Sequence, residues 1–327
     1  MNSQKQIVVI GGGTGSFSLL QDLKKSYKHI SAIVNMADNG GSTGLLRDEF
    51  GVLPPGDVRQ CLVALSDAPE QLRELFNFRF PKNSSFSGHS FGNLFLSTVE
   101  MMTSDFNESV KMAQQVLQIR SLVIPVTLTS CNLVLNKNGK IIKGEKAIGI
   151  EGFNGDKKPN LHLSPSPKIN YLAESVIKKA DLIVIAPGNL YRSLAPTLLV
   201  DGVGKSIRES NAKVVAVSNL VNKLNETDNF TVDDYISEIE RFIGGPRVDV
   251  VLYNDTLPDK RLVKIYERKG EFLVNLKNPK KKRRYKLLGG NFISNKPFRQ
   301  NPDDVLTKRS LIRHDGKLVA QALMRLR

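Results

Sequence analysis

The 327 residues, 40% hydrophobic and 24% charged, are enough for one large α/β domain or two small ones and too apolar to stay disordered. No apolar run nears the roughly 20 residues that cross a bilayer, the stretch 7–10 is too short for a signal peptide, and Cys61 and Cys131 stand in no metal-ligand spacing, which predicts a reduced cytoplasm. The net charge of +15 is localised: residues 256–327 hold 20 Lys/Arg against 6 Asp/Glu, and the first 255 hold 27 against 26, so the core is not a nucleic-acid surface and no DNA partner is expected.

In chain order, 7–10 reads as a buried strand, because its β-branched residues are continuous. A glycine turn over 11–15 leads into a helix carrying Phe17, Leu19, Leu20 and Leu23, and 30–34 is a second strand. This β-turn-α-β unit predicts a parallel sheet with a right-handed crossover. Residues 35–57 read as a long functional loop. Helices are expected over 57–66, 70–78, 90–103 and 107–119. Residues 123–165 read as a small β excursion, with Asn138-Gly139 as a hairpin turn. Strands at 182–186, 214–218 and 248–252 and helices at 200–210 and 232–243 restore the α/β rhythm. The tail is assigned strands near 262–266, 272–276 and 286–288 and a helix within 316–326. The expected fold is Rossmann-like: a doubly wound, mainly parallel sheet over 1–255, with a basic α+β segment, 256–327, packed on it.

Ligands of such sheets sit beyond the carboxyl ends of strands, at helix N-termini. Several polar, glycine-bearing segments follow strands here. In the first, Gly11 to Ser16, glycines let the backbone approach a phosphate. Asn35, where a dinucleotide site has an acidic residue after the second strand, disfavours NAD. The second, Asp38-Asn39-Gly40-Gly41-Ser42-Thr43-Gly44, suits an anion nest, with Asp38 able to hold a ribose hydroxyl or a metal. In the third, Asp57 reads as a helix N-cap with Gln60 returning the bond, whereas Arg59 opposes the helix dipole and gains most from an anionic partner. The fourth carries His89, a ligand contact or a cap, and Asn93 one turn into the helix. The fifth, around Gly188 and Asn189, offers Tyr191 for stacking and Arg192 for forked phosphate contacts; the plainer alternative makes Tyr191 core and Arg192 solvated. The sixth, Asn219 with Thr227 and Asp228, reads more readily as a capping loop than as a closing one. No nucleophile-base pair appears. The run Lys280-Lys281-Lys282-Arg283-Arg284 reads as a solvated, partly disordered loop in preference to a nucleic-acid or membrane contact.

Taken together, the Gly11–Gly15 turn, Ala37 to Gly44, Pro54-Pro55-Gly56-Asp57-Val58-Arg59, Gly88-His89-Ser90-Phe91-Gly92-Asn93-Leu94 and Pro187-Gly188-Asn189-Leu190-Tyr191 resemble the YvcK-type gluconeogenesis factor family, itself related to the CofD-like 2-phospho-L-lactate transferases of deazaflavin coenzyme synthesis. The resemblance runs from residue 5 to about 255. It implies a bacterial, cytoplasmic binder of UDP-sugars such as UDP-N-acetylglucosamine, needed for cell shape and wall synthesis during gluconeogenic growth, with cell-wall synthesis proteins as partners. A homodimer is compatible with it. The implied pocket uses Gly12, Gly13, Thr14, Asp38, Asn39, Arg59, Asn93, Gly188 and Asn189, with Tyr266 and Arg313 on the sugar or uracil side. This chain departs at Ala186, Asn189 and Arg192, where the family usually reads Gly-Pro-Gly-Ser-Leu-Tyr-Thr-Ser. The alternative is a phospholactate transferase-like enzyme using Mg2+ at the Asp38/Asn39 loop.

Overall fold

Runs of Val, Ile and Leu that are apolar at every position form strands only where both faces of a sheet are covered. The computed structural model describes residues 4–81, 83–153, 158–295 and 311–326, apart from the Thr14 side chain. In chain order its elements are β1 (Gln6–Gly11), α1 (Gly13–Leu23), β2 (His29–Val34), α2 (Gly41–Phe50), α3 (Gly56–Leu65), α4 (Glu70–Asn77), α5 (Phe91–Thr103), α6 (Phe106–Val116) and β3 (Leu122–Pro125). Next come β4 (Asn132–Lys137), β5 (Lys140–Lys143), α7 (Glu145–Glu151), β6 (Asn160–Ser164), α8 (Tyr171–Lys179), β7 (Leu182–Ile185), a wide turn over Leu190–Leu194 and α9 (Ala195–Leu198). The chain closes with α10 (Val203–Glu209), β8 (Lys213–Val217), α11 (Val232–Ile243), β9 (Val250–Asn254), α12 (Lys260–Glu267), β10 (Lys286–Gly290) and α13 (Gly316–Met324).

Seven strands form one parallel sheet in the order β10-β9-β8-β7-β1-β2-β3. From β1 the chain moves outward through β2 to β3, then returns to the other flank of β1 and moves outward again from β7 to β10. The connections therefore diverge between β1 and β7, the position at which a doubly wound sheet opens a crevice over its carboxyl edge. The α/β expectation holds, and β10 joins the tail to the same sheet.

The differences from the expected elements have local causes. Strand β3 belongs to the main sheet, so the β excursion is narrower: an antiparallel β5-β4-β6 sheet with its hairpin at Asn138 (φ 50°) and Gly139 (φ 78°). It also contains the helix α7. Part of the expected loop 35–57 is α2, whose Gly-Ser-Thr-Gly opening has weak helical propensity but whose Ser42, Thr43, Gly44 and Leu46 are buried. The helix α8 was not anticipated. Residues 262–266 are helical, not extended. Leu262 and Tyr266 stand one turn apart on the face that packs on Leu220, Ile293 and Ile312, and that burial outweighs the β-branched Val263 and Ile265. Residues 272–276 make only isolated bridges, Leu273 to Val221 and Asn275 to Thr231. The basic run is not simply solvated. The Arg283 side chain is 4% exposed and grips Asp233 of α11 at 2.7 Å, and Arg284 pairs with Glu240.

Candidate functional site

The site begins where β1 ends. The backbone of Gly12 is extended and its residue caps α1 with no side-chain bond, so the first amides of α1 have no side-chain acceptor at that cap. Gly13 has φ 62°, a conformation that favours glycine. A Cβ at Gly15 would lie 1.9 Å from the Pro187 carbonyl oxygen. The first turn of α1 thus rests directly on the loop after β7, and the first and fifth segments close the two sides of the β1/β7 crevice. Thr14 sits in this turn; its side chain lies outside the described residues. The Ser16 hydroxyl is buried against Gly11 and has no hydrogen-bond partner among the described residues.

The loops after β2 and before α3 form the floor. Asn35 and Asp57 face Gly12, whose Cβ would meet Asp57 Oδ2 at 2.4 Å and Asn35 Cβ at 3.2 Å. Asp57 is not a cap: Pro55 holds that position, and Asp57 lies inside the first turn of α3. Asp38 accepts from Gly40 N at 2.8 Å, and its backbone oxygen accepts from Arg47 at 2.8 Å. A Cβ at Gly56 would touch Thr43 Oγ1 and lie 3.4 Å from Asp38 Oδ2, so the absence of a side chain there brings α2 and α3 together. Asn39 accepts from Lys146 N at 3.1 Å and packs on Gly144, docking α7 on this loop.

A second set of bonds ties in α5. The Ser42 hydroxyl lies 3.2 Å from His89 Nδ1 and accepts from Asn93 Nδ2 at 3.3 Å. Asn93 Oδ1 in turn accepts from Arg59 Nε at 3.0 Å, and Arg59 also donates to Asn77. Gly92 makes room for this arginine, since a Cβ there would lie 2.8 Å from its Cδ. The unfavourable placement of Arg59 against its own helix dipole is thus offset by the side-chain oxygens of Asn93, which is buried, and Asn77, which is exposed.

The third wall comes from β7 and β8. Asn219 and Gly188 exchange two bonds, Gly188 N to Oδ1 at 3.3 Å and Nδ2 to the Gly188 oxygen at 2.8 Å. Asn189 caps the wide turn through Arg192 N and donates to Glu226 at 2.5 Å. Arg192 is not solvated: it bonds Glu226 at 3.0 Å and pairs with Glu145 at the start of α7. Tyr191 takes the packing role. It is fully buried among Phe153, Phe230 and Phe242, and its hydroxyl donates to Glu238 at 3.1 Å. Thr227 accepts from Lys223 N and Tyr235, and Asp228 accepts from Asn225 N, so this loop holds itself together while Thr231 caps α11.

Carboxylates crowd the centre. Burial raises Asp57 to about 8, with the charges of Asp38 and Glu145 adding and Arg59 opposing. Burial also raises Asp38 and Glu145, against the pull of Arg192 on both. Glu145, Glu226 and Asn35 are not among the ligand contacts expected from sequence, whereas Ser42 belongs to the expected anion nest. Glu145 gave no signal, because it opens a helix inside a stretch read as strands.

Tyr266 and Arg313 stand further along the same edge. The Tyr266 hydroxyl accepts from Leu311 N at 2.7 Å and Ile312 N at 3.3 Å, and the His314 ring lies 3.1 Å from the Ser218 oxygen just past β8. Burial lowers this imidazole to about 4, so it bonds the carbonyl as a neutral donor. A cavity of about 290 Å3 lies beyond the ends of β8 and β9, lined by Leu220, Tyr253, Asn254, Leu273 and Ile293 among others. Another, of about 220 Å3, opens at the amino end of β1, the wrong end for a ligand of this sheet.

A family model described as 2-phospho-L-lactate transferase CofD matches residues 7–293. The chain is 35% identical over 329 residues to the gluconeogenesis factor of Bacillus subtilis (strain 168), covering 99% of this chain and 98% of that one. It is 36% identical over 327 residues to the gluconeogenesis factor of Halalkalibacterium halodurans, covering 98% and 96%. A crystal structure of a Bacillus halodurans member of the UPF0052 family matches with a TM-score of 0.87 at 33% identity, covering 98% of this chain and 99% of that one. Among the described residues no helix is long and apolar enough to cross a membrane.

Proposed function

This chain belongs to the CofD-like gluconeogenesis factor family, and from that premise we propose that it binds a nucleotide diphosphate-sugar of the UDP-N-acetylglucosamine type as a regulatory ligand, without turning it over. In the cell this places it in the cytoplasm, acting on cell shape and wall synthesis during gluconeogenic growth through contacts with wall-synthesis proteins, as a monomer or homodimer. The observation that carries the reading is the meeting of the Gly12–Gly13 turn with Gly188 at the β1/β7 crevice, at the amino end of α1. Free amides and the helix dipole there favour a phosphate.

The carboxylates are compatible with an anion because Asp57 sits near 8. At neutral pH its carboxyl is largely protonated and can donate to a phosphate oxygen instead of repelling it. Asp38, beside it, is suited to a ribose or sugar hydroxyl. The unpartnered Ser16 hydroxyl is a further donor. Tyr266 is committed to the tail through Leu311 N and Ile312 N, so of the two tail residues it is Arg313 that is assigned to the sugar or base end. Calorimetry with UDP-N-acetylglucosamine tests this. Binding with a rise in melting temperature supports it, because a ligand of the native state must stabilise that state; no heat and no shift at millimolar ligand overturns it.

The match to a transferase family favours a second reading, transfer of a phospholactyl group from an activated nucleotide donor. Mg2+ would neutralise charge on the transferring group. Among the described residues no three Asp, Glu, His or Cys side chains are arranged to hold a metal ion; Asp38 would be the residue to hold Mg2+ together with the donor's phosphates. Product formed from deazaflavin and an activated phospholactate, and lost in Asp38→Ala, would establish this second activity.

A further inference from the structure

The tail's charge is neither evenly spread nor fully neutralised. Of the basic run, Arg283, Arg284 and Lys281 face Asp233 or Glu240 of α11. Lys277, Lys280 and Lys282 are exposed and make no ion pair among the described residues, and the same is true of Lys260 and Arg261 in the first turn of α12. These two groups are neighbours in space. Leu257 and Pro258, which lead into α12, and Pro279, which precedes Lys280, line the same cavity at the end of β9. Leu257 stands at its rim 79% exposed. Two carboxylates share this region. Asp259 is committed to capping α12 through Arg261 N, and Asp255 to its own loop through Thr256.

We propose that this rim, Lys277, Lys280 and Lys282 with Lys260, Arg261 and the projecting Leu257, is a docking face for an anionic lipid bilayer. Clustered cations are drawn to the negative surface of anionic lipids, and an exposed aliphatic side chain among them gains by entering the headgroup boundary. The segment is anchored on both sides of Lys282: Lys281 and Arg283 pair with Asp233 of α11, and Arg284 pairs with Glu240. The apolar element favours a bilayer over single-stranded RNA, which is held by aromatic stacking: the exposed apolar groups at this rim are Leu257 and Pro279, and the aromatic of the cavity, Tyr253, is half-buried with its ring against Gly289.

The test is co-sedimentation of the full chain with vesicles. On phosphatidylcholine containing about a third phosphatidylserine, the chain partitions to the pellet at low salt and is released by about 0.5 M salt. On phosphatidylcholine alone it stays in the supernatant. Lys280→Glu with Lys282→Glu lowers the partition by about tenfold or more, and Lys260→Glu with Arg261→Glu does the same from the other side of the cavity. Leu257→Ser weakens it severalfold without changing the salt slope. None of these side chains makes an ion pair among the described residues, so the melting temperature and the response to UDP-N-acetylglucosamine stay as in the parent, which separates failure here from failure of the ligand assignment. Equal partition onto uncharged vesicles, indifference to both double substitutions, or displacement from anionic vesicles by poly(U) RNA at equal phosphate overturns the proposal.

Discussion

Gly12 and Asp57 are in direct apposition: a Cβ on Gly12 would come within 2.4 Å of Asp57 Oδ2. The Gly12 backbone is extended, φ −144° and ψ 167°, so any residue could adopt it, and the demand for glycine is one of space alone. Gly12→Ala must push Asp57 or the turn aside. Overpacking of this kind costs about 1–3 kcal/mol, and the displaced groups are those assigned to the phosphate. Calorimetry should show binding of UDP-N-acetylglucosamine weakened by about tenfold or more, with a fall of a few degrees in melting temperature. Unchanged affinity would remove this turn from the site.

Asp57 titrates near 8 because it is buried beside Asp38 and Glu145. Its folded pKa lies above its unfolded one, so its contribution to stability is full below about 4 and is lost as pH rises through about 8. The free protein should therefore lose stability from about pH 4 to about pH 8 and level off above that, so that pH 6 and pH 9 bracket the later part of the fall. Asp57→Asn should flatten that loss, recovering about 1 kcal/mol or more at pH 9, a pKa unit being worth about 1.4 kcal/mol. Denaturant titrations at the two pH values measure it. Parallel pH profiles for parent and variant would mean that Asp57 is ionised throughout.

On the proposed function, the same group should set the pH dependence of binding. If the protonated carboxyl donates to a ligand phosphate, affinity is highest below pH 7 and falls as pH passes 8. The complex should then take up protons from a buffered solution near pH 8, visible as a buffer-dependent enthalpy. A buffer-independent enthalpy there would exclude the protonated donor.

Arg192 joins two carboxylates, Glu226 at 3.0 Å with a side chain 4% exposed, and Glu145 on α7. Arg192→Met strands Glu226 without its cation and should cost about 3 kcal/mol in urea or guanidinium unfolding. Adding Glu226→Gln should recover part of the loss, because the uncompensated charge is gone. A double variant as unstable as the sum of both singles would show that the pair is not coupled.

Tyr266→Phe removes the acceptor of two backbone amides, Leu311 N and Ile312 N. The loss should be about 1–2 kcal/mol, confined to the tail. Hydrogen exchange at Leu311 and Ile312 should quicken by tenfold or so, while amides of β1 and β7 keep their rates.

Much of the fold was legible because its signals are local. Continuous Val/Ile runs marked β1, β2, β7, β8 and β9, and Asn138-Gly139 marked the hairpin between β4 and β5. Where packing overrode local preference the reading failed: α2 begins in glycines, and α12 carries Val263 and Ile265 yet is helical because Leu262 and Tyr266 share a buried face.

The sequence by itself determined that glycine- and amide-bearing turns follow successive parallel strands, because strand and turn chemistry are written in neighbouring residues. It also located the surplus positive charge in the last 72 residues, 256–327. Only the tertiary structure decided what those turns do to one another. It turned Asp57 from a cap into a wall of the crevice, sent Tyr191 into the core, and bound Arg192 to Glu145 and Glu226. The reason is physical: a side chain's pKa, partner and exposure are set by atoms that the sheet order brings close, and Gly12 meets Asp57 only once β1 and β2 lie side by side.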